Sequence, residues 1–335
     1  IQRIVGLLLM LFSTSMLTPI IVGIVYSDDT WQSFLFSFAI TIIIGFLAWY
    51  PVKANKKELK LRDGFMVVAL FWIVLGSFGA IPFFYANETS MSITDSIFES
   101  ISGLTTTGAT VITGLDSLPK SILYYRQQLQ WLGGMGILVL TIAILPMLGV
   151  GGMQIFRAES SGPMKDKKFT PRIAETAKAL WTIYIFLTLF CSLGYWIAGM
   201  NLFDAFAHAF TTVSIGGLST HDQSIGFYNS FQIESVAIFF MLLAGLNFTL
   251  HFAAFRSLSL SVYLHSIEAR YFFVIITVSA AFVFFVLLMM PSDSIGLIEI
   301  ARFSIFNVVS IATTTGYATA DYNLWPTIAF SLMLL

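Results

Sequence analysis

Long apolar runs alternate with short charged segments along this chain of 335 residues. A helix crosses about 30 Å of hydrocarbon with roughly 20 mostly apolar residues, and seven stretches of the sequence reach that length. They are residues 4–26, 31–50, 64–85, 122–148, 179–200, 233–255 and 271–290. The hydropathy pattern therefore predicts seven full membrane spans, all helical.

The composition supports this interpretation. Hydrophobic residues make up 57% of the chain, charged residues 10%, and the mean hydropathy is +0.85, whereas soluble domains carry about 25% charged residues. Cys191 is the single cysteine, so the sequence allows neither an intrachain disulfide nor a cysteine-based metal site.

Positive charges are distributed unequally between the two sides of the predicted membrane. If the N-terminus is cytoplasmic, all but three of the 17 lysines and arginines fall in inner segments, the exceptions being Lys120, Arg126 and Arg302. Because cytoplasmic loops are enriched in Lys and Arg, the sequence predicts a multi-pass protein with its N-terminus in the cytoplasm.

The outer segments contain apolar runs that are too short to span. These runs are residues 92–104, 201–213 and 294–309. The first two begin with Ser92 followed by Asp95 and with Asn201 followed by Asp204, a pattern typical of a side-chain N-cap with an acid in the first turn. We expect three half-helices that enter the membrane and return.

A glycine-containing polar stretch follows each half-helix. The stretches read TTTGAT, SIGGLST and TTTGYAT, and their aligned glycines are Gly108, Gly217 and Gly316. The unit of span, half-helix, polar loop and span therefore repeats about every 100 residues, which predicts a repeat architecture.

Polar loops at membrane depth indicate an ion site. Non-helical backbone is tolerated there only where protein buries it or water reaches it. Glycine allows positive φ, so carbonyl oxygens can turn toward one axis and replace the water shell of a monovalent cation. A single Thr/Gly stretch is also typical of close helix packing, but three copies after three half-helices favour an ion filter.

Other classes of membrane protein require different features of the sequence. An ion-coupled or proton-coupled secondary transporter normally keeps a carboxylate near the midplane; no predicted span has one at its centre, and Glu99, in a half-helix, comes nearest. An intramembrane hydrolase would need a motif such as HExxH or GxSxG, and the sequence contains neither, so we expect no enzyme. An inert assembly partner stays open as a third alternative.

Several other polar or small residues have structural interpretations. Arg302 is expected to pair with a carboxylate, and Asn247 and His251 to form interhelical hydrogen bonds. Gly133 and its neighbouring glycines are expected to permit close helix packing.

Five motifs resemble those of one transporter superfamily. They are SGLTTTGATVITGLD (102–116), QWLGGMGILVL (130–140), MKDKKFTPRIAETAKALW (164–181), IGGLSTHD (215–222) and NFTLHFAAF (247–255). Because it contains all five motifs, the chain resembles the Trk/Ktr/HKT superfamily of potassium transporters. The resemblance extends over nearly its whole length.

The resemblance implies an all-α integral membrane protein in which units of helix, re-entrant pore helix, filter loop and helix surround a pore. The implied layout is two extra N-terminal helices (1–57), a first repeat (58–155), a second repeat (156–258) and an incomplete third repeat (259–335). A fourth repeat is expected to be absent.

The resemblance also implies a ligand and partners. Potassium would be the transported ion, with no organic cofactor, and a glycine rather than a serine at Gly108 favours potassium over sodium. The expected potassium ligands are backbone carbonyls of Thr106, Thr107, Gly108, Ile215, Gly216, Gly217, Thr314, Thr315 and Gly316. The implied setting is the bacterial inner membrane, with a homodimer, a cytoplasmic nucleotide-binding TrkA-type regulatory subunit and lipid as partners, and without nucleic acid.

Overall fold

The computed structural model describes residues 1–54, 61–136, 170–289 and 296–333. Within these ranges, every regular element is an α-helix or a short 3-10 turn. The predicted all-α class is confirmed. By internal contacts the chain forms two compact units, Ile1–Trp181 and Thr182–Leu335. The repeat boundaries predicted at 57, 155 and 258 stay predictions.

The first unit contains seven helices and the start of an eighth within the described residues. They are α1 (Gln2–Ser15), α2 (Leu17–Tyr26), α3 (Trp31–Trp49), α4 (Leu61–Gly79), α5 (Ile81–Tyr85), α6 (Ile93–Leu104), α7 (Lys120–Gly134) and α8 (Thr170–Ile197), which continues into the second unit. The remaining helices of the second unit are α9 (Leu202–Val213), α10 (Phe231–Gly245), α11 (Phe248–Ser257), α12 (Ser261–His265), α13 (Ile267–Leu288), α14 (Leu297–Ala312) and α15 (Thr327–Met333).

Five segments of the described residues are long and apolar enough to cross a membrane. They are Gln2–Tyr26, Trp31–Val52, Asp63–Tyr85, Lys178–Ile197 and Ile267–Leu288. Each agrees with a span predicted from sequence. The predicted span 122–148 begins as α7, and its residues from 137 onward lie outside the described part.

The predicted span 233–255 is not one straight helix. Helices α10 and α11 meet at an angle of 92°, with Leu246 and Asn247 between them. Asn247 caps α11, since its Oδ1 accepts a hydrogen bond from the Thr249 N–H at 3.0 Å. The sequence prediction of a continuous helix was wrong because an asparagine cap can begin a new helix within an apolar run.

The half-helices are α6, α9 and α14. Ser92 accepts a hydrogen bond from the Asp95 N–H at 3.2 Å, and Asn201 accepts one from the Asp204 N–H at 2.9 Å, so both predicted caps are confirmed. The third half-helix follows Gly296, which has no side-chain cap. With 12, 12 and 16 residues, these helices are too short to span.

In the first unit, α1 packs closely on α3, and the core lies between α1, α4, α6 and α7. A Cβ atom at Gly6 would lie 2.8 Å from the carbonyl oxygen of Gly45, so small residues set the closeness of α1 and α3. Tyr125 of α7 is fully buried, and its hydroxyl donates to the Gly79 carbonyl at 3.0 Å. This hydrogen bond ties α7 to the end of α4, and α7 also packs against the first half-helix, α6.

In the second unit, α14 packs against both α13 and α10. Val283 of α13 and Val308 of α14 belong to the same buried cluster. The side chains that point outward from the spans are apolar too. Phe190 and Phe285, for example, are 59% and 57% exposed, which suits contact with lipid. The third half-helix is thus held between α13, which precedes it in the chain, and α10.

Candidate functional site

The first polar loop leaves the C-terminal end of α6 and turns back on it. The N–H of Thr106 donates to the Gly103 carbonyl at 3.0 Å, and the N–H of Thr107 donates to the Ser102 carbonyl at 2.9 Å. Across a trans peptide, an N–H and the carbonyl of the preceding residue point in opposite directions. The carbonyls of Thr105 and Thr106 are therefore directed away from the half-helix.

The second and third loops repeat this arrangement. The N–H of Gly216 donates to the Thr211 carbonyl at 2.9 Å, and the N–H of Thr315 donates to the Ser310 carbonyl at 2.8 Å. By the same geometry, the carbonyls of Ile215 and Thr314 point away from their half-helices.

All three loops share an unusual backbone. The three aligned glycines have positive φ, with 77° at Gly108, 75° at Gly217 and 82° at Gly316. Two residues earlier, Thr106, Ile215 and Thr314 also have positive φ, at 56°, 49° and 62°. Positive φ in a β-branched residue is a true outlier and is held only where surrounding contacts enforce it.

The second and third loops lie against each other within the second unit. A Cβ atom at Gly217 would lie 1.7 Å from the Thr315 carbonyl oxygen. The Tyr317 hydroxyl, one residue after the third glycine, contacts the Thr211 hydroxyl and lies 3.1 Å from the His208 carbonyl oxygen. Six of the nine predicted ligand residues are thereby brought together in two adjoining loops.

The other three predicted residues, Thr106, Thr107 and Gly108, form the first loop in the first unit. Thr107 is exposed, while Thr106 and Gly108 are half-buried. The Ser102 hydroxyl donates to the Ala109 carbonyl at 2.6 Å. This brace holds the loop on its half-helix, and sequence reasoning did not single out Ser102.

A buried ion pair lies behind the first loop. The Arg126 Nε lies 2.7 Å from Oε1 of Glu99, and neither side chain is exposed. Glu99 also accepts hydrogen bonds from the Thr110 hydroxyl at 2.9 Å and from the Val111 N–H at 3.2 Å. The Glu99 carboxylate thus bonds both to Arg126 and to Thr110 and Val111. These last two residues belong to the outgoing arm, the segment that follows the glycine and leads out of the loop.

Two histidines and an aspartate lie behind the second loop. Asp204 accepts a hydrogen bond from the Thr220 hydroxyl at 2.7 Å and lies 3.2 Å from Nε2 of His221. Burial opposes ionisation, but the bonds from His221 and Thr220 hold the pKa of Asp204 below its usual range. Burial lowers the pKa of His208 to about 4, so this imidazole is neutral near pH 7.

Asn307 and Ser310 support the third loop. The Ser310 hydroxyl donates to the Tyr317 carbonyl at 2.7 Å, which matches the brace made by Ser102. Asn307 donates from Nδ2 to the Thr319 hydroxyl at 3.1 Å. Sequence reasoning missed these residues, although a hydroxyl six positions before each glycine is a visible signal.

Three polar or close contacts away from the loops match predictions from the sequence. Arg302 pairs with a carboxylate, as predicted: its Nη2 lies 2.8 Å from Oε1 of Glu234. A Cβ at Gly133 would lie 1.7 Å from the Leu104 carbonyl oxygen, which confirms close packing there. His251 links helices through Tyr263 at 2.8 Å and the Leu243 carbonyl at 2.8 Å.

The described residues hold no group of three or more His, Cys, Asp or Glu that could bind a metal ion. The groups directed away from the half-helices are neutral carbonyl oxygens. Such oxygens, placed at the C-terminal ends of half-helices, suit a weakly hydrated monovalent cation.

Comparisons with known proteins agree on one family. Residues 30–335 match the TrkH family, described as cation transport protein. The chain is 52% identical over 326 residues to the Trk system potassium uptake protein TrkH of Halomonas elongata, covering 97% of this chain and 67% of that protein. It is 50% identical to TrkH of Escherichia coli, with the same coverage, and 39% identical to TrkG of Escherichia coli, covering 69% of that protein.

A solved structure agrees as well. The crystal structure of the potassium transporter TrkH from Vibrio parahaemolyticus superposes with a TM-score of 0.87 at 47% identity, covering 99% of this chain and 68% of that one. This chain thus spans about two thirds of the length of its relatives. Its apolar spans and this similarity make it a multi-pass inner-membrane protein. The chain belongs to the TrkH family of cation transport proteins.

Proposed function

We propose that this protein takes up potassium through a channel-like pathway whose ion ligands are the backbone carbonyls of the three glycine loops. The observation that carries the proposal is the shared loop backbone. In each loop, an N–H donates back to the half-helix, and positive φ recurs at the glycine and two residues before it. This backbone presents the oxygens of Thr106, Ile215 and Thr314 on the side away from the half-helix.

Potassium is favoured over other cations by two arguments. Neutral carbonyl oxygens replace the hydration shell of a monovalent ion without the strong field of carboxylates. The relatives carry names that describe potassium uptake, and the first loop has the glycine at Gly108 that favours potassium in the wider superfamily. A divalent cation would instead call for several carboxylates.

The bonding of Glu99 argues against the coupled-transporter alternative. A coupling carboxylate must exchange a proton or an ion during the cycle. Glu99 is buried, is paired with Arg126 and accepts from Thr110 and Val111. We therefore give it a structural role.

The proposed assembly follows the family. The relatives are named as proteins of Trk systems, so we propose that this chain works in a multi-component system. The proposed arrangement is a homodimer that binds a cytoplasmic nucleotide-binding subunit of the TrkA type, surrounded by lipid. Within it, the repeats at 58–155, 156–258 and 259–335 would each contribute one filter loop.

Rubidium uptake into potassium-loaded liposomes that contain the full-length protein tests the proposal. We expect external potassium to compete with rubidium at concentrations at which sodium does not. Liposomes without protein and liposomes with a Gly217→Ala variant serve as controls. Equal competition by sodium and potassium would contradict a potassium-selective filter, and absence of uptake with the regulatory subunit present would contradict the pathway itself.

A further inference from the structure

One position in each half-helix carries a buried polar side chain that differs among the three repeats. The position lies nine residues before the filter glycine and is occupied by Glu99, His208 and Asn307. Their exposures are 1%, 0% and 0%. A carboxylate, an imidazole and an amide thus share one place in the fold.

All three side chains bond to the same part of the loop. Glu99 accepts from Thr110 and from the Val111 N–H at 3.2 Å. His208 lies 2.9 Å from the Ser219 hydroxyl through Nε2. These partners are two or three residues beyond their filter glycines, on the arm by which the loop leaves the site.

The third repeat makes the contact with both ends of an amide. Asn307 donates from Nδ2 to the Thr319 hydroxyl at 3.1 Å and accepts from the Thr319 N–H through Oδ1 at 3.4 Å. Thr319 is three residues beyond Gly316. A carboxylate, an imidazole and an amide therefore each connect a half-helix to the outgoing arm of its loop.

The histidine contact has a defined direction. Nδ1 lies 2.9 Å from the Asp204 carbonyl oxygen, and a carbonyl can only accept, so Nδ1 carries the proton. In a neutral imidazole Nε2 must then accept, so the Ser219 hydroxyl donates to it. The bond to Asp204 holds the His208 ring in place, and Ser219 of the outgoing arm bonds to that ring.

We infer that Glu99, His208 and Asn307 are positioning residues for ion selectivity, because each anchors the outgoing arm of its loop and so fixes the carbonyls of the filter. The inference rests on the proposed carbonyl filter. The half-helix fixes the incoming arm through its C-terminal carbonyls, as with Gly103 and Thr106. Without the second anchor, only one end of a strained backbone would be held.

Buried polarity alone does not explain the pattern. Ser96 and Ser304 lie three residues earlier in their half-helices and are equally buried. Their hydroxyls donate to carbonyls of their own helices, Ser92 at 2.8 Å and Ile300 at 2.6 Å. These hydrogen bonds run back along the half-helix rather than to the outgoing arm, so the two serines provide matched controls.

The test compares Asn307→Leu with Ser304→Ala in the full-length protein reconstituted in liposomes. The readout is the sodium concentration that halves rubidium uptake, relative to the corresponding potassium concentration. We expect Asn307→Leu to shift this ratio toward sodium by about fivefold, the equilibrium factor of roughly one lost hydrogen bond. Ser304→Ala should leave the ratio unchanged.

Three further variants keep the test decisive if Asn307→Leu does not fold. Thr319→Val removes the hydroxyl partner from the loop side, and His208→Gln retains a polar atom that His208→Leu lacks. We expect Thr319→Val and His208→Leu to shift the ratio toward sodium, with His208→Gln closer to the wild type. A merely structural role would change thermal stability without moving the ratio.

The outcomes separate two failures. A wild-type protein that does not discriminate potassium from sodium would overturn the proposed function and this inference with it. A selective wild type whose folded anchor variants keep the wild-type ratio would overturn this inference alone.

Discussion

A methyl group on the Cα of Gly217 would lie 1.7 Å from the carbonyl oxygen of Thr315 in the adjoining loop. Real Cβ atoms essentially never come within 3.0 Å of a backbone atom, so any side chain here must displace the third loop. Gly217 also has a φ of 75°. Two independent constraints therefore require glycine at this position.

Alanine substitutions separate the two constraints. Gly316 has positive φ, but a Cβ there would meet nothing within 4 Å. We expect Gly316→Ala to cost roughly 1–2 kcal/mol of stability, the usual cost of left-handed backbone. Gly217→Ala should cost a further 1–3 kcal/mol, about the cost of overpacking. Thermal unfolding of the purified protein measures both, and the difference between the two variants isolates the effect of the close contact with Thr315.

The first loop should control discrimination between sodium and potassium. Gly108 has a φ of 77°, and a serine there would change the backbone and add a hydroxyl oxygen near the ligands. We expect Gly108→Ser to increase sodium permeability relative to potassium. Reversal potentials in proteoliposomes measure the ratio, and an unchanged ratio in a folded variant would argue against a filter role for Gly108.

The buried pair of Glu99 and Arg126 should be costly to break from one side. Arg126→Met leaves a buried carboxylate without its cation, which typically costs about 3–5 kcal/mol. We expect a large fall in melting temperature, and the double variant with Glu99→Gln should recover most of it. A single variant as stable as Ser96→Ala would show that the pair contributes little.

Acidification should destabilise the second half-helix. Burial lowers the pKa of His208 to about 4 from an ordinary value near 6.5, so the unfolded chain binds more protons between these values. Stability is therefore full above about pH 6.5 and falls as pH drops toward 4, by up to about 3 kcal/mol. Asp204, with a lowered pKa, adds a loss only at still lower pH.

Melting curves between pH 4.5 and 7.5 check this dependence. His208→Gln removes the titrating group while keeping a polar side chain, so its melting temperature should vary less over the same range. Equal pH dependence in the two proteins would contradict the assignment to His208.

Much of the fold follows from local sequence. Apolar runs of sufficient length locate the spans. Ser92 and Asn201 predict the starts of the first two half-helices, because an N-cap bond joins residues only three apart in the chain. The three glycines could be aligned because the loops repeat. These features depend on near neighbours in the chain.

Other features depend on distant contacts and could not be read in advance. Glu99 and Arg126 are 27 residues apart, and Arg302 and Glu234 are 68 apart, so their pairing requires the tertiary structure. The positive φ of Thr106 and Ile215 runs against the preference of β-branched residues. It results from bonds to the half-helix rather than from local propensity.

The different anchors at Glu99, His208 and Asn307 make each half-helix and its loop a matched set. Transplanting the first loop alone into the second repeat would place Thr110 and Val111 opposite an imidazole and leave Arg126 behind. Exchange of a whole half-helix together with its loop keeps the bonded residues together. The first half-helix is the exception, because Glu99 also pairs with Arg126 of α7. We therefore expect the protein to tolerate exchange of a half-helix together with its loop better than exchange of a loop alone, and we expect mutations at the anchor and at the outgoing arm to arise together.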